Sequence, residues 1–171
     1  MDELKIIRRK RWVSVKKFLT TLLIVMLLFI LGVTTVVTRS LSPYNQAEAE
    51  TTTIAQERAN LAETDEFYWY NGNETFFTVT GTDTEGTPII VIVQQDGGAV
   101  EVVNQEEAIS EQTAIEQTIS REKPQEILEA RIGMYNGNPI WEVSFKQDND
   151  TLGYVIFSLT SGEWVRTIKN I

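Results

Sequence analysis

Tyr70-Asn71-Gly72-Asn73 recurs 65 residues later as Tyr135-Asn136-Gly137-Asn138, and this repeated stretch is the strongest indication of how the chain folds. An Asn-Gly pair between apolar runs is a strong short-range signal of a β-hairpin turn. With one residue dropped, three further matches follow in the same order: Phe77-Thr78-Val79 with Trp141-Glu142-Val143, Val91-Ile92-Val93 with Val155-Ile156-Phe157, and Gly98 with Gly162. The order of these matches indicates an internal repeat.

Each copy of the repeat is predicted to be a helix followed by a four-stranded antiparallel sheet, which makes the fold class α+β. The first helix is predicted to begin at Ser42-Pro43, a typical N-cap and first helical position, and to end near Thr64. The second is predicted to begin at Ser110 and to end before Pro124. The predicted strands are Phe67–Tyr70, Thr75–Thr82, Pro88–Gln94 and Ala99–Val103, then Ile127–Tyr135, Ile140–Lys146, Gly153–Leu159 and Trp164–Lys169. Asp96-Gly97-Gly98 and Ser161-Gly162 supply turn signals.

Alternation along the first strand assigns its two faces, because successive side chains of a strand point in opposite directions. The repeat places Phe67 and Trp69 in the core. Glu66, Tyr68 and Tyr70 then lie on the opposite face, where exposed aromatic side chains need a cover. Either the other repeat or a loop covers them, or a partner protein does. These three residues are therefore the candidate protein contact.

The segment from Phe18 to Val37, FLTTLLIVMLLFILGVTTVV, contains no charged residue and is long enough for a transmembrane helix. Seven basic residues precede it, and six of them are taken as the topology signal, so the positive-inside rule places the N-terminus in the cytoplasm. These six are Arg8, Arg9, Lys10, Arg11, Lys16 and Lys17. A cleaved signal peptide is the alternative, but no small-x-small cleavage site follows the apolar run. Without cysteine, lipidation as a lipoprotein is excluded.

The predicted organisation has four parts. Residues 1–17 form a cytoplasmic basic tail and residues 18–38 a transmembrane helix. Residues 39–104 and 105–171 form two extracellular domains. The protein is expected at the cell membrane as a single-pass protein with both domains outside.

Composition excludes several classes of function. The chain has 171 residues, no cysteine and no histidine, which rules out a thiol nucleophile, a disulfide framework, a Cys/His zinc site and a Ser-His-Asp triad. Its net charge is -9, and the basic residues gather near the N-terminus. The acidic remainder is therefore not expected to bind nucleic acid. No cofactor and no small-molecule substrate is predicted.

The pairs of acidic residues that could bind a metal ion or act in catalysis have simpler structural explanations. Asp148-Asn149-Asp150 resembles the start of a calcium loop, but the glycine and the distal glutamate of that motif are missing, and a hairpin turn explains the same residues. Glu106-Glu107 precedes a helix, where carboxylates interact favourably with the helix dipole. We therefore predict no metal site and no catalytic residue, and expect that the protein is not an enzyme.

The second repeat resembles the PepSY and cystatin-like domains. The residues that carry this resemblance are Ile109-Ser110-Glu111, Asn138-Pro139-Ile140-Trp141-Glu142-Val143 and Ser158-Leu159-Thr160-Ser161-Gly162-Glu163-Trp164. The whole layout, together with the run from Val79 to Thr87, resembles the TseB-like (YpmB) cell wall elongation regulators of Firmicutes.

The TseB-like resemblance implies a regulator of sidewall peptidoglycan synthesis that contacts an elongation-type penicillin-binding transpeptidase. The alternative, implied by the PepSY resemblance, is an inhibitor or propeptide-like module that acts on a secreted or membrane peptidase.

Overall fold

The computed structural model describes residues 3–95, 98–148 and 150–171, with side chains from position 16 onward except Thr38 and Leu41. Asp96 and Gly97 of one predicted turn, Asn149, and the side chains of Arg8, Arg9, Lys10 and Arg11 lie outside the described residues. The chain divides into two compact units, residues 1–45 and residues 46–171.

The first helix, α1, comprises Glu3–Ala59. The predicted new start at Ser42-Pro43 is wrong, because α1 continues through Pro43. A proline inside a helix removes a single backbone donor, and this loss does not end α1 here. The predicted end near Thr64 is also too late, since Asn60 adopts a positive φ of 55°. This left-handed conformation is typical of the residue that follows a helix.

Within α1, an 18-residue stretch between Lys16 and Ala59 has a mean hydropathy of 2.6, and none of its residues is buried. Its apolar side chains, such as Leu23 and Leu27, are exposed. Thr20 and Thr34 return their hydroxyl hydrogen bonds to the helix, donating to Lys16 O at 2.8 Å and to Ile30 O at 3.0 Å. The helix is therefore long and apolar enough to cross a membrane.

Residues 46–171 contain two four-stranded antiparallel sheets, which confirms the predicted α+β fold. The first sheet, in the order β1-β2-β3-β4, is built from Leu61–Asn71, Thr75–Asp83, Pro88–Gln94 and Val100–Asn104. A single 3-10 turn, Gln105–Glu107, and helix α2, Glu111–Glu122, follow. The second sheet, in the order β5-β6-β7-β8, is built from Glu126–Tyr135, Asn138–Lys146, Leu152–Ser158 and Trp164–Lys169.

The two Asn-Gly turns close their hairpins differently. In the second repeat Tyr135 pairs with Asn138, and Asn136 and Gly137 both have positive φ, 49° and 76°, as in a two-residue type I′ turn. In the first repeat Asn71 pairs with Thr75 instead, so the loop is one residue longer. This extra residue is the one that has to be dropped to align the two copies.

The longer loop shifts the first strand by two positions relative to its counterpart. Tyr70 lies opposite Phe76, whereas Gly133 lies opposite Ile140. Tyr70 therefore occupies the sheet position of Gly133, although it matches Tyr135 in sequence. A shift of two keeps each side chain on its predicted face.

The first sheet is covered on both faces, which explains the continuous burial of β2 and β3. On one face a cluster joins Ala55 of α1 to Val79, Val91 and Val93. Thr51 and Ala47, one and two turns earlier in α1, are also buried. Residues at this four-residue spacing lie on one face of the helix.

The opposite face of the first sheet packs on the second repeat. Phe76, Ile90 and Ile92 belong to the same cluster as Ile132 and Trp141. The β5 strand is an edge of its sheet, and an uncovered edge would expose unpaired backbone groups. Here the buried hydroxyl of Thr78 donates to Ile132 O at 3.2 Å, so the first sheet covers this edge.

Helix α2 begins and ends at residues with clear capping roles. The Ser110 hydroxyl accepts a hydrogen bond from Thr113 N at 3.2 Å, so Ser110 is the N-cap, at the predicted start of the helix. Lys123 ends the helix in the left-handed conformation, with φ 48°. The buried face consists of Ala114 and Thr118, whereas Ile119 is 49% exposed.

Candidate functional site

The three residues of the predicted contact lie at the junction of the two repeats. Glu66 is exposed, Tyr68 is partly buried and Tyr70 is only 2% exposed. The ring of Tyr68 packs edge-on against Trp141 of β6, with centroids 5.5 Å apart. The indole N–H of Trp141 in turn donates to Ile109 O at 2.9 Å. Two of the three side chains thus join the repeats, and Glu66 is the one that faces solvent.

A cleft of about 220 Å³ lies at this junction and includes Glu66, Tyr68, Gln105 and Glu111 in its lining. The Tyr68 hydroxyl donates to the Glu66 carboxylate. Burial raises the pKa of Tyr68, and its hydrogen bond to Glu66 raises it further. Burial also raises the pKa of Glu111, with the nearby Glu66 charge adding to the effect and Tyr68 opposing it. The cleft therefore contains two carboxylates, Glu66 and Glu111, which both interact with the Tyr68 hydroxyl.

Gly133 explains how Tyr70 becomes buried. A Cβ atom at position 133 would overlap the base of the Tyr70 ring, at Cγ and Cδ1. Only glycine lets the ring lie this close to the β5 backbone. Burial raises the pKa of Tyr70 to about 12, and the charge of Glu142 contributes.

The face of the second sheet opposite α2 is a second candidate site, and sequence reasoning missed it. A row of four residues crosses the sheet: Arg131 pairs with Glu142, Glu142 with Ile156, and Ile156 with Arg166. Residues that pair across antiparallel strands share a face. The two guanidinium groups therefore flank one carboxylate on one surface.

Aromatic side chains border this row. A cleft of about 290 Å³ is lined by the four residues of the row together with Tyr70, Asn71, Gly72, Asn73, Tyr135, Tyr154, Ile168 and Ile171. Arg166 donates from Nη1 to the Tyr135 hydroxyl at 2.8 Å. We call this set of residues the β5–β8 cleft.

Glu142 is the unusual group of the β5–β8 cleft. Its side chain is partly buried, and burial raises its pKa, while the charge of Arg131 opposes this effect. Arg131 forms its ion pair with Glu129 instead, at 2.5 Å. Within the described part of the chain, no hydrogen bond or ion pair involves the Glu142 carboxylate. The alternation of side chains along β6 predicts that Glu142 and Trp141 lie on opposite faces of the sheet. The residues that surround Glu142 come from other strands, so the sequence of β6 alone does not predict them.

The acidic turn between β6 and β7 contains an ion pair. Asp150 Oδ1 lies 2.6 Å from Lys146 Nζ, and Lys146 lowers the pKa of Asp150. Among the residues that the structure describes, no group of three or more Asp, Glu, His or Cys side chains is arranged to hold a metal ion.

Comparison with known proteins defines the class. Residues 50–94 match the family described as "Cell wall elongation regulator TseB-like domain". Among solved structures, the YpmB protein from Bacillus subtilis superposes with a TM-score of 0.64 at 23% identity, over 71% of this chain and 96% of that one. A protein from Clostridium difficile 630, described as a lipoprotein, gives a TM-score of 0.39 at 11% identity, over 72% of this chain and 92% of that one. No curated protein sequence matches the chain significantly.

These findings identify an α+β protein with the fold of YpmB and one apolar helix long enough to cross a membrane. Residues 50–94 match the TseB-like domain, and the predicted resemblance to the TseB-like family is confirmed. The family is described as a regulator of cell wall elongation. The matched segment includes the end of α1, β1, β2 and β3, and so contains Glu66, Tyr68 and Tyr70.

Proposed function

We propose that this protein is a membrane-anchored, non-catalytic regulator of sidewall peptidoglycan synthesis that acts by contact with an elongation-type penicillin-binding transpeptidase. The observation that carries the proposal is the TseB-like match over residues 50–94. The apolar helix supports it, because a regulator of a membrane-bound synthase has to be held at the same surface.

The proposed orientation places the N-terminus in the cytoplasm and residues 46–171 outside. Lys16 and Lys17 directly precede the apolar segment, and Arg8, Arg9, Lys10 and Arg11 lie close before them in the sequence. Only Arg39 follows the segment closely. Basic residues near a transmembrane end favour the cytoplasmic side, so the asymmetry supports this orientation.

The proposed partner surface is centred on Glu66 and Tyr68, and the buried Tyr70 supports it from the interior. Glu66 is exposed, and the partly buried Tyr68 lines the neighbouring cleft. A basic or hydrogen-bond-donating group of the partner would be attracted to Glu66 and Glu111, whose charges are close enough to interact. Tyr70 is buried against Gly133, so its part is to fix the two repeats in the arrangement that forms this surface.

A genetic and biochemical experiment tests the proposal. Cells that lack the protein are complemented with the full chain or with Glu66→Arg, and cell width and length are measured. The full chain should restore normal dimensions and co-purify with an elongation-type penicillin-binding protein after crosslinking in living cells. Glu66→Arg should do neither, because it reverses the charge of the proposed contact.

The matched control is Glu163→Arg, which makes the same charge change at an exposed turn position. It should behave like the full chain. Unchanged cell dimensions after deletion, together with no synthase recovered by the wild-type chain, would overturn the proposed function.

A further inference from the structure

We propose that the β5–β8 cleft binds the peptide side chain of the cell wall polymer, through an end group that carries an ammonium and a carboxylate on one carbon atom. The choice of a wall peptide over a free amino acid rests on the proposed function. The ligand chemistry itself rests on the residues of the cleft.

The first observation is the unpaired Glu142 carboxylate. Its side chain is partly buried and accepts no described hydrogen bond, and since no buried side-chain polar atom of the described residues lacks a partner, its oxygens remain open to solvent and to a ligand. Within the described residues no group donates to it, although Arg131 is near enough for its charge to interact with it. A ligand ammonium supplies both the donor and the opposite charge.

The second observation is the pair of guanidinium groups that flank Glu142. Arg131 is its direct cross-strand partner, and Arg166 lies in the same row two strands away. Each arginine has five N–H donors, and each makes one described side-chain hydrogen bond, to Glu129 and to Tyr135. Donors therefore remain for a carboxylate beside the ammonium site.

The third observation is the aromatic border of the cleft. Tyr135 and Tyr154 are partly buried and line it together with Tyr70. An ammonium group is attracted to the face of an aromatic ring as well as to a carboxylate. The volume of about 290 Å³ is at the small end of the range for ligand pockets, so it suits an end group rather than a long polymer segment.

Charge complementarity favours this ligand over a uniformly charged one. The charged side chains that line the cleft, Arg131, Arg166 and Glu142, carry a net charge of +1, and the Glu129 carboxylate that pairs with Arg131 brings the sum to zero. A zwitterionic group matches such a surface. The rest of the chain after residue 17 is strongly acidic, so an anionic polymer would be repelled before it reached the two arginines.

Calorimetric titration of the full chain in lipid nanodiscs tests the proposal. The probe is a soluble disaccharide tripeptide from cell wall that ends in meso-diaminopimelate, whose side chain carries the free ammonium and carboxylate. We expect saturable binding, a loss of about tenfold or more in affinity for Glu142→Gln, and a similar loss when the side-chain carboxylate of the probe is amidated.

The control variant is Glu163→Gln, which removes a carboxylate from an exposed position outside the cleft and should leave the affinity unchanged. Thermal unfolding of each variant shows whether it folds, and Tyr154→Ala provides a second variant that should weaken binding. An absence of saturable binding, or equal affinity for wild type and Glu142→Gln, would overturn the proposal. Equal affinity for free diaminopimelate would overturn the choice of the wall peptide. None of these results depends on the crosslink to a synthase, so the two proposals fail separately.

Discussion

Tyr68 of β1 and Trp141 of β6 meet edge-to-face, with ring centroids 5.5 Å apart and ring planes at 87°. This contact joins the first repeat to the core of the second and lies beside the proposed partner surface. Edge-to-face aromatic pairs stabilise a protein by about 1 kcal/mol beyond the area that they bury.

Replacement of Tyr68 by alanine should therefore lower the free energy of unfolding by about 2 kcal/mol. A double-mutant cycle with Trp141→Ala, measured by chemical denaturation of the full chain, should show a coupling of about 1 kcal/mol. Trp164→Ala removes a tryptophan that is 48% exposed and lies under the Arg121 guanidinium, 4.3 Å from the ring centroid. This control should not couple to Tyr68.

Replacement of Gly133 by alanine should also destabilise the protein, by about 2 kcal/mol. The added methyl group would overlap the base of the Tyr70 ring, which is part of a buried cluster and has little freedom to move. In the double variant Tyr70→Ala, Gly133→Ala, the alanine substitution at position 133 should cost much less. If it costs the same with and without the ring, Tyr70 does not fix the distance between the repeats.

Glu122 is predicted to hold α2 to the last strand. Its side chain is 5% exposed, its carboxylate lies 2.5 Å from Lys169 Nζ, and it accepts a hydrogen bond from the Thr167 hydroxyl at 3.1 Å. Glu122→Ala should lower the free energy of unfolding by about 2 kcal/mol, because it leaves Lys169 without its partner; the partial exposure of the lysine keeps the loss below that of a fully buried pair. Glu116→Ala, on the same helix, should have a much smaller effect in the same denaturation experiment.

Glu142 gives a pH-dependent prediction. Its pKa is raised in the folded protein, mainly by burial, so the folded state disfavours its charged form. The penalty is absent below the unfolded pKa and is present in full above the folded pKa. Glu142→Gln should therefore raise the melting temperature at pH 7, and the gain should shrink as the pH falls toward 4. Glu163→Gln serves as the exposed control, and a gain that stays constant with pH would contradict the burial argument.

The proposed orientation in the membrane can be tested by labelling single introduced cysteines, because the chain has no native cysteine. In intact cells a membrane-impermeant maleimide should label Ser161→Cys and should leave Ser14→Cys unlabelled until the cells are permeabilised. The opposite labelling pattern would show that the N-terminus is outside. Neutral replacement of Arg8, Arg9, Lys10 and Arg11 should weaken this asymmetry.

Local signals in the sequence predicted much of the fold. The Ser110 cap and the Asn136-Gly137 turn depend on neighbouring residues only, and both appear where they were expected. The continuation of α1 through Pro43 was not predicted. Ser-Pro is typical of the start of a helix, and the sequence alone does not distinguish such a start from a proline within a continuous helix.

The sites depend on packing between distant residues, and this is why the sequence predicted them only in part. Alternation placed Tyr68 and Tyr70 on a face that needed a cover, but only the folded chain shows that Trp141 and Gly133 supply it. The grouping of Arg131, Glu142 and Arg166 requires the register of four strands. A local pattern cannot define such a register.

The most direct test of the central proposal is a photocrosslinking amino acid placed at position 66 of the full chain in growing cells, with position 163 as the matched exposed control. The proposed contact predicts a crosslink from position 66 to an elongation-type penicillin-binding protein, and none or far less from position 163. Equal crosslinking from both positions, or a position-66 crosslink to a peptidase instead of a synthase, would contradict it.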